Sequence, residues 1–127
     1  MSGIFVDDND FIEIVVWYHE TPNGTIEVLE KQDDHSHSLS MKFKRPSFGT
    51  SQAVLNSSTM LGQDGQVTAN MMTLRTNILY TLAKSWDAKD DKSVAIPLNT
   101  DTISKMRVEI AKPLIEKLLE KLGTNVF

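Results

Sequence analysis

The spacing of apolar residues between positions 67 and 86 is the feature that most restricts the fold of this chain. These residues recur three or four positions apart and are Val67, Met71, Leu74, Ile78, Leu82 and Trp86. Such spacing places side chains on one face of an α-helix, because the helix has 3.6 residues per turn. Leu79 and Met72 widen this face. The pattern predicts one continuous helix of about five turns over residues 66–86.

The chain before Pro46 predicts β-strands instead. Residues 12–18 are rich in β-branched and aromatic side chains, and residues 25–29 alternate in polarity. Between them stands Thr-Pro-Asn-Gly, in which proline presets φ and Asn-Gly tolerates positive φ, so we predict a β-hairpin. Residues 39–44 alternate again and predict a third strand. This strand should end before Pro46, since proline cannot donate to a strand ladder.

Three further helices are predicted. The first has Thr50 as its N-cap, runs through Leu61 and ends before the Gly-Gln-Asp-Gly run at residues 62–65. The second covers residues 101–111 and has Asn99 or Thr100 as its N-cap. The third begins at Pro113, a residue type suited to the first turn, and ends at Gly123. The residues expected to face the core are Ala53, Val54 and Met60, then Ile103, Met106 and Ile110, then Ile115, Leu118, Leu119 and Leu122.

Together these elements predict an α+β fold in a single domain over residues 1–127. A β-rich, acidic portion, residues 1–48, carries the hairpin or a three-stranded sheet. A mainly helical body of about four helices, residues 49–127, follows. A chain of 127 residues can bury one core but is short for two ordinary domains. The longest apolar run, residues 14–18, is too short to span a membrane, so we expect no membrane partner.

Charge is distributed unevenly along the chain. Up to Ser38 there are nine acidic residues against Lys31 alone, a net charge of −8, while the rest has 12 basic and 8 acidic residues, a net charge of +4. Two interpretations stay open. The acidic portion either only aids solubility, or it makes the chain self-complementary, in which case a homo-oligomer with head-to-tail contacts is favoured. The chain has no cysteine, which excludes disulfides and thiolate metal sites.

The sequence contains no pattern typical of a catalytic site. It lacks the Gly-x-Ser-x-Gly, phosphate-loop and dinucleotide-binding glycine patterns. His35 and His37 stand beside Asp33 and Asp34, and His19 is the one further histidine. We interpret this cluster as a solvated loop, because a zinc site needs three or four convergent ligands. We therefore predict that the protein is not an enzyme and binds neither a cofactor nor a metal.

A basic and aromatic patch lies at the end of the third predicted strand. It consists of Lys42, Lys44 and Arg45 with Phe43 and Phe48. Such a patch could contact nucleic-acid phosphates, an acidic protein partner, or the acidic portion of this same chain. We do not expect a nucleic-acid partner, because three bases in an acidic protein are a small electrostatic footprint.

Four motifs follow one another in order between residues 41 and 122. They are Arg45-Pro46-Ser47-Phe48 after a strand, a helical pair, Ser85-Trp86-Asp87 at the end of a long helix, and Ile96-Pro97-Leu98-Asn99-Thr100 before the last two helices. In this order the chain resembles the tail assembly chaperones of tailed bacteriophages. Members of that family bind the tape-measure protein that sets tail length, keep it soluble and recruit tail-tube subunits.

This resemblance implies that the function lies in an interface and is performed in the host cytoplasm during phage assembly. The expected partners are the tape-measure protein and the tail-tube subunits. Residues chosen for their chemistry as client contacts are Lys42, Arg45, Met71, Met72, Leu79 and Trp86. Trp86 is also expected to cover the core with its ring while its N–H binds a partner group. The alternative function is that of a structural subunit of the tail or baseplate that stays in the virion tail.

Overall fold

The computed structural model describes residues 4–7, 9–61, 67–69 and 71–123. In this part of the chain, four helices and six strands form an α+β fold, as the sequence predicts. The elements in chain order are β1 (Phe11–Glu20), β2 (Ile26–Leu29), β3 (His37–Lys44), α1 (Phe48–Ser57), β4 (Thr59–Leu61), β5 (Val67–Ala69), α2 (Met71–Leu82), β6 (Ala83–Trp86), α3 (Thr100–Ser104) and α4 (Val108–Leu122).

The main sheet is antiparallel, has four strands and is ordered β2-β1-β3-β6. The predicted hairpin is confirmed: β1 and β2 pair from Trp17 opposite Leu29 to Glu20 opposite Ile26. Its turn contains Gly24 at a φ of 80°, a conformation that glycine adopts at little steric cost. The predicted third strand pairs with β1 along its length, and β6, from the second half of the chain, adds the fourth strand.

One face of the sheet is buried beneath the helices. Ile12, Ile14 and Val16 of β1 are buried, as are Leu39, Met41 and Phe43 of β3. The residues between them are exposed or half-buried. This alternation follows from the two-residue period of a strand and confirms the period predicted for residues 39–44. The helix α4 packs against β1 and β2.

The long helix predicted over residues 66–86 is shorter in the structure. Its central part is confirmed, since Leu74, Ile78 and Leu82 of α2 are buried. Both predicted ends are wrong where the structure describes them: Val67–Ala69 forms β5, and Ala83–Trp86 forms β6. The helix ends before Ala83 because the next residues pair with β3, where Trp86 lies opposite Met41. Residues 66 and 70 lie outside the described residues.

The first helix begins and ends earlier than predicted. The hydroxyl of Ser47 accepts a hydrogen bond from the Thr50 N–H at 3.2 Å, so the cap is Ser47 and not Thr50. At the other end, the hydroxyl of Ser58 donates to the carbonyl of Val54 at 2.7 Å. After this helix end, β4 pairs with β5. Val54 is buried as predicted, whereas Ala53 is exposed; the predicted glycine break at residues 62–65 and the Met60 side chain lie outside the described residues.

The helix predicted over residues 101–111 is two helices. The short helix α3 ends at Ser104, and Arg107 is extended before α4 begins. The predicted start of the last helix at Pro113 is therefore wrong, and Pro113 lies inside α4. The proline gives up one backbone hydrogen bond there, a loss offset by a buried stripe that starts before it. This stripe repeats every four residues and consists of Ile110, Leu114, Leu118 and Leu122. Ile115 and Leu119 are only partly buried.

Buried side chains from the sheet and from all four helices form one hydrophobic cluster. Ile103 joins it from α3, and Val54 joins it from α1. At the C-terminal end of α4, Gly123 has a φ of 85° and ends the helix as predicted. Among the described residues, no helix combines the length and the apolarity that crossing a membrane requires.

Candidate functional site

Trp86 lies in β6 opposite the buried Met41, so its side chain is on the helix-covered face of the sheet. The indole Nε1–H donates to the carbonyl of Ile96 at 2.7 Å, and the ring is partly buried against the core. The prediction that the ring covers the core while the N–H finds a partner group is confirmed. That partner is the backbone of this same chain.

The loop that carries Ile96 is fixed by its own hydrogen bonds. Ile96 donates its N–H to the carbonyl of Ala88 at 2.9 Å. The carboxylate of Asp90 accepts from the N–H groups of Lys92 at 2.8 Å and Val94 at 3.0 Å. These bonds satisfy backbone donors in the turn, because a short acidic side chain can accept from the N–H groups that follow it. Ile96 is therefore held at a set distance from Trp86.

A capping box positions the short helix α3 beside this loop. The Asn99 side chain accepts from the Thr102 N–H at 2.9 Å, and the Thr102 hydroxyl accepts from the Asn99 N–H at 3.0 Å. The Thr102 hydroxyl also lies 2.7 Å from the carbonyl of Pro97, to which it can donate. The Asn99 alternative for the N-cap is thus confirmed over Thr100. Met106 follows α3 and is half-buried against the core.

These elements enclose an apolar groove, here called the Trp86 groove. One part of it is a cavity of about 260 Å³ lined chiefly by Leu39, Trp86, Ala88, Ile96 and Met106. A second cavity of about 470 Å³ adjoins it and shares four of these residues, Trp86 being the exception. Charged side chains form the rim of the two cavities: Glu20, Asp87, Lys89, Lys105 and Arg107.

Tyr18 lies in the wall of the second cavity, where its ring is 5.5 Å from that of His37. Burial raises the pKa of the Tyr18 hydroxyl, and the negative charges of Glu20 and Asp87 raise it further. On the rim, Lys105 pairs with Asp101 at 3.1 Å, and both side chains are largely exposed. Such a pair is weak in water, so the Lys105 ammonium can exchange it for an acidic group of a ligand.

Arg107 is held more firmly than Lys105. It donates to the Glu109 carboxylate and to the carbonyl of Gly24, each at 2.8 Å. The pKa of Glu109 is lowered, first by its own backbone N–H at the start of α4 and then by Arg107. Arg107 therefore connects the tip of the β-hairpin to the first turn of α4 and closes one end of the groove.

The structure does not bring the six predicted client contacts onto one surface. Lys42 lies opposite Ser85 and is exposed on the outer face of the sheet, whereas Trp86 faces the helices. Arg45 lies beyond the end of β3, where its Nε donates to the Asp10 carboxylate at 3.1 Å. Leu79 is only 5% exposed. The side chains of Met71 and Met72 lie outside the described residues.

Sequence reasoning missed several residues of the Trp86 groove. The sequence predicts Met106 as a core residue and Leu39 only as part of the third strand, and it predicts neither Ala88 nor Ile96 as part of a binding site. The one sequence signal for them is the Ile96-Pro97 motif, because the residue before a proline is extended and turns its backbone towards neighbours. The position of β6 determines which residues line the groove. The helical spacing of residues 67–86 predicts a helix at that position, so the sequence does not reveal the strand.

The acidic and histidine-rich loop after β2 has a structural role. His19 and Asp33 are 2.6 Å apart, and Asp33 also accepts from the His35 N–H at 2.9 Å. The pKa of Asp33 is lowered by that backbone N–H and by His19. Over the described residues, no group of three or more histidines and carboxylates is placed to hold a metal ion.

No protein-family model, curated protein or solved structure matches the chain.

Proposed function

We propose that this protein is a phage tail assembly chaperone that binds an apolar helical segment of the tape-measure protein in the Trp86 groove. The observation that carries the proposal is the groove itself, an apolar floor between the sheet edge and α3 with charged side chains on its rim. The resemblance to the chaperone family supports the choice of client through two of its motifs, Arg45-Pro46-Ser47-Phe48 after β3 and Ile96-Pro97-Leu98-Asn99-Thr100 before α3 and α4. The third motif gives no support, because Ser85 and Trp86 lie in β6 and not at the end of a helix. On this proposal the protein works by binding alone, in the host cytoplasm.

The groove suits one or two apolar side chains from an amphipathic helix. Its floor offers an indole ring, a methionine and branched aliphatic side chains, which pack well against leucine-like residues. Methionine is unbranched and polarisable, so Met106 can adapt to different client side chains, as a chaperone requires. The rim charges would orient the client and raise the rate of encounter more than they raise affinity.

The experiment that tests this proposal is co-expression of the chain with the long coiled-coil-like protein encoded nearest downstream. Affinity pull-down on this chain should recover a soluble complex, whereas the client alone should be insoluble. Met106→Glu should weaken the complex about tenfold or more, because a buried carboxylate without a partner is costly. Val108→Glu is the matched control, since Val108 is 58% exposed and lies outside the groove lining.

Both variants should keep the circular dichroism spectrum of the wild type. Equal client recovery with Met106→Glu and Val108→Glu would show that the groove does not bind the client. Absence of a complex, together with stoichiometric amounts of this chain in purified particles, would instead favour the alternative function, a structural subunit of the tail or baseplate.

A further inference from the structure

The first half of β1 has an open edge. β2 pairs with residues 17–20 only, while β3 lies along the other side of β1 from Phe11 to Tyr18. Among the described residues, no strand pairs with residues 11–15 on the side where β2 would continue. An unpaired stretch of this kind is a template for the addition of another strand.

The hydrogen bonds of β3 show which backbone groups face this edge. Ser40 donates its N–H to the Asp87 carboxylate at 2.8 Å, and its carbonyl accepts from the Asp87 N–H at 3.1 Å. Ser40 therefore does not exchange backbone bonds with Val15, its partner in register. By the alternation of an antiparallel ladder, the N–H and C=O groups of Phe11, Glu13 and Val15 point to the open edge. The Val15 carbonyl there accepts from Lys117 Nζ at 3.1 Å.

The helix α4 forms a wall beside this edge. A cavity of about 530 Å³ is lined by residues 13–15 and Trp17 of β1 and by Lys117, Glu120 and Lys121 of α4. Lys117 Nζ also lies 5.3 Å from the centre of the Trp17 ring. An extended segment in this cavity would be collinear with β2, with α4 beside it. The Lys117 bond to Val15 keeps one edge carbonyl satisfied until such a segment arrives.

An exposed apolar segment precedes β1. Ile4 is 84% exposed, Phe5 is 72% exposed and Val6 is 36% exposed. These β-branched and aromatic residues favour strands, and their exposure together has no structural reason within one copy. We call Ile4, Phe5, Val6 and Asp7 the arm.

A turn directs the arm away from the open edge of its own chain. The Asp10 N–H donates to the Asp7 carbonyl at 3.0 Å, and the Asn9 N–H donates to the Asp7 carboxylate at 3.0 Å. The Asp10 carbonyl accepts from the Arg45 N–H at 3.1 Å, and Arg45 follows β3. The arm thus leaves β1 on the β3 side, whereas the open edge is on the β2 side.

We propose that the arm of a second copy adds as a strand to the open edge of β1. Its backbone N–H and C=O groups would pair with those of Phe11, Glu13 and Val15, and its apolar side chains would cover the cavity beside Trp17. Once a backbone N–H of the arm bonds the Val15 carbonyl, the Lys117 ammonium becomes free to pair with the Asp7 carboxylate of the arm. The cavity lining is balanced in charge, with Glu13 and Glu120 beside Lys117 and Lys121. A copy of this chain is favoured as the occupant by the Lys117–Asp7 pairing and by an exposed arm that points away from its own edge.

Analytical ultracentrifugation of the purified full chain tests this proposal. The mean mass should rise above the monomer value of 14.3 kDa as the concentration increases. The double variant Ile4→Ser with Phe5→Ser should remain monomeric. The matched control is Val94→Ser with Val108→Ser, which removes two valines that are each 58% exposed elsewhere and should associate like the wild type.

A mixing experiment identifies the receiving surface. Val15→Pro should abolish self-association without removing a bond to β3, because the Val15 N–H faces the open edge. If circular dichroism shows that this variant is unfolded, Glu13→Pro tests the same edge. Mixing the arm variant with the edge variant should restore a 1:1 complex, since one supplies the edge and the other the arm. A mixture that stays monomeric, or an arm variant that associates normally, overturns the proposal. No client is present, so either result leaves the chaperone proposal separately testable.

Discussion

Tyr18 is the residue at which β1 meets the Trp86 groove, and its protonation state responds to that position. Burial raises the pKa of its hydroxyl above the ordinary value of 10.0, and the charges of Glu20 and Asp87 add to the effect. The folded protein therefore holds the Tyr18 proton more tightly than the unfolded chain does. The stability that this provides is fully present below pH 10.0 and is lost as the pH rises through the pKa of the folded state.

We predict that Tyr18→Phe makes the protein less sensitive to alkali. Between about pH 9 and about pH 11, the unfolding free energy of the wild type should fall more steeply than that of the variant, because only the wild type must ionise Tyr18. Urea unfolding at several pH values measures both curves. Tyr80→Phe removes another tyrosine hydroxyl and keeps Tyr18, so comparison of the two variants isolates the contribution of Tyr18. Parallel curves for Tyr18→Phe and the wild type would contradict the prediction.

Single residues were predictable where the cause is local. The chemistry of Asn99 as a cap and of Trp86 as a core residue with a polar N–H can be read from neighbouring residues, and both are confirmed. The partner of Arg45 could not be derived in this way. Its pairing with Asp10 depends on β1 and β3 being in register over eight residue pairs, a long-range fact that no local pattern contains.

At the scale of elements, the short helix α3 depends on its cap more than a long helix would. It has five residues, too few for its own hydrogen bonds to outweigh the cost of nucleation. The reciprocal bonds between Asn99 and Thr102 satisfy two of its free backbone N–H groups. Because Met106 follows α3, the same cap also positions the floor of the Trp86 groove.

Asn99→Ala should lower the unfolding free energy by about 1 kcal/mol, the usual cost of losing an N-cap side chain. Thr100→Ala is the matched control one residue further on. It should change stability by less than about 0.5 kcal/mol, because Thr100 does not supply the cap. Urea unfolding at neutral pH measures both changes. Equal losses in the two variants would mean that the capping box contributes nothing specific.

The boundary between α2 and β6 was misassigned for a physical reason. A spacing of four residues fits a helical face, and it also fits one face of a strand, since four is a multiple of two. Leu82 and Trp86 are four apart, yet the first ends α2 and the second ends β6. No glycine or proline separates them, so only the pairing of β6 with β3 reveals the boundary. The strand at residues 12–18 was predicted from its β-branched and aromatic side chains, and the strand at 39–44 from its two-residue period; β1 and β3 confirm both predictions.

At the scale of the whole molecule, the acidic N-terminal portion and the basic remainder meet within one copy. Arg45 bonds to Asp10, Arg107 to the Gly24 carbonyl and Lys117 to the Val15 carbonyl. Only the first of these three bonds pairs opposite charges across Ser38, the position at which the charge balance changes, whereas the other two join a cation to an uncharged backbone carbonyl. The apolar contacts cross the same boundary, because Leu114 and Leu118 of α4 share one buried cluster with Ile14 and Val16 of β1. The β-rich portion and the helical body therefore stabilise each other.

The shared core predicts that sheet and helices unfold in one step. Tryptophan fluorescence reports the sheet, since Trp17 lies in β1 and Trp86 in β6, while far-ultraviolet circular dichroism reports chiefly the helices. The two urea transitions should coincide.

Leu118→Ala removes a fully buried side chain of α4 and should lower the free energy of unfolding by about 2–5 kcal/mol. Both transitions should then move together to lower urea concentration. Glu116→Ala, an exposed position of the same helix, should shift neither by much. A variant in which the circular dichroism transition moves while the fluorescence transition stays in place would show two independent units, and would contradict the single domain that the sequence predicts.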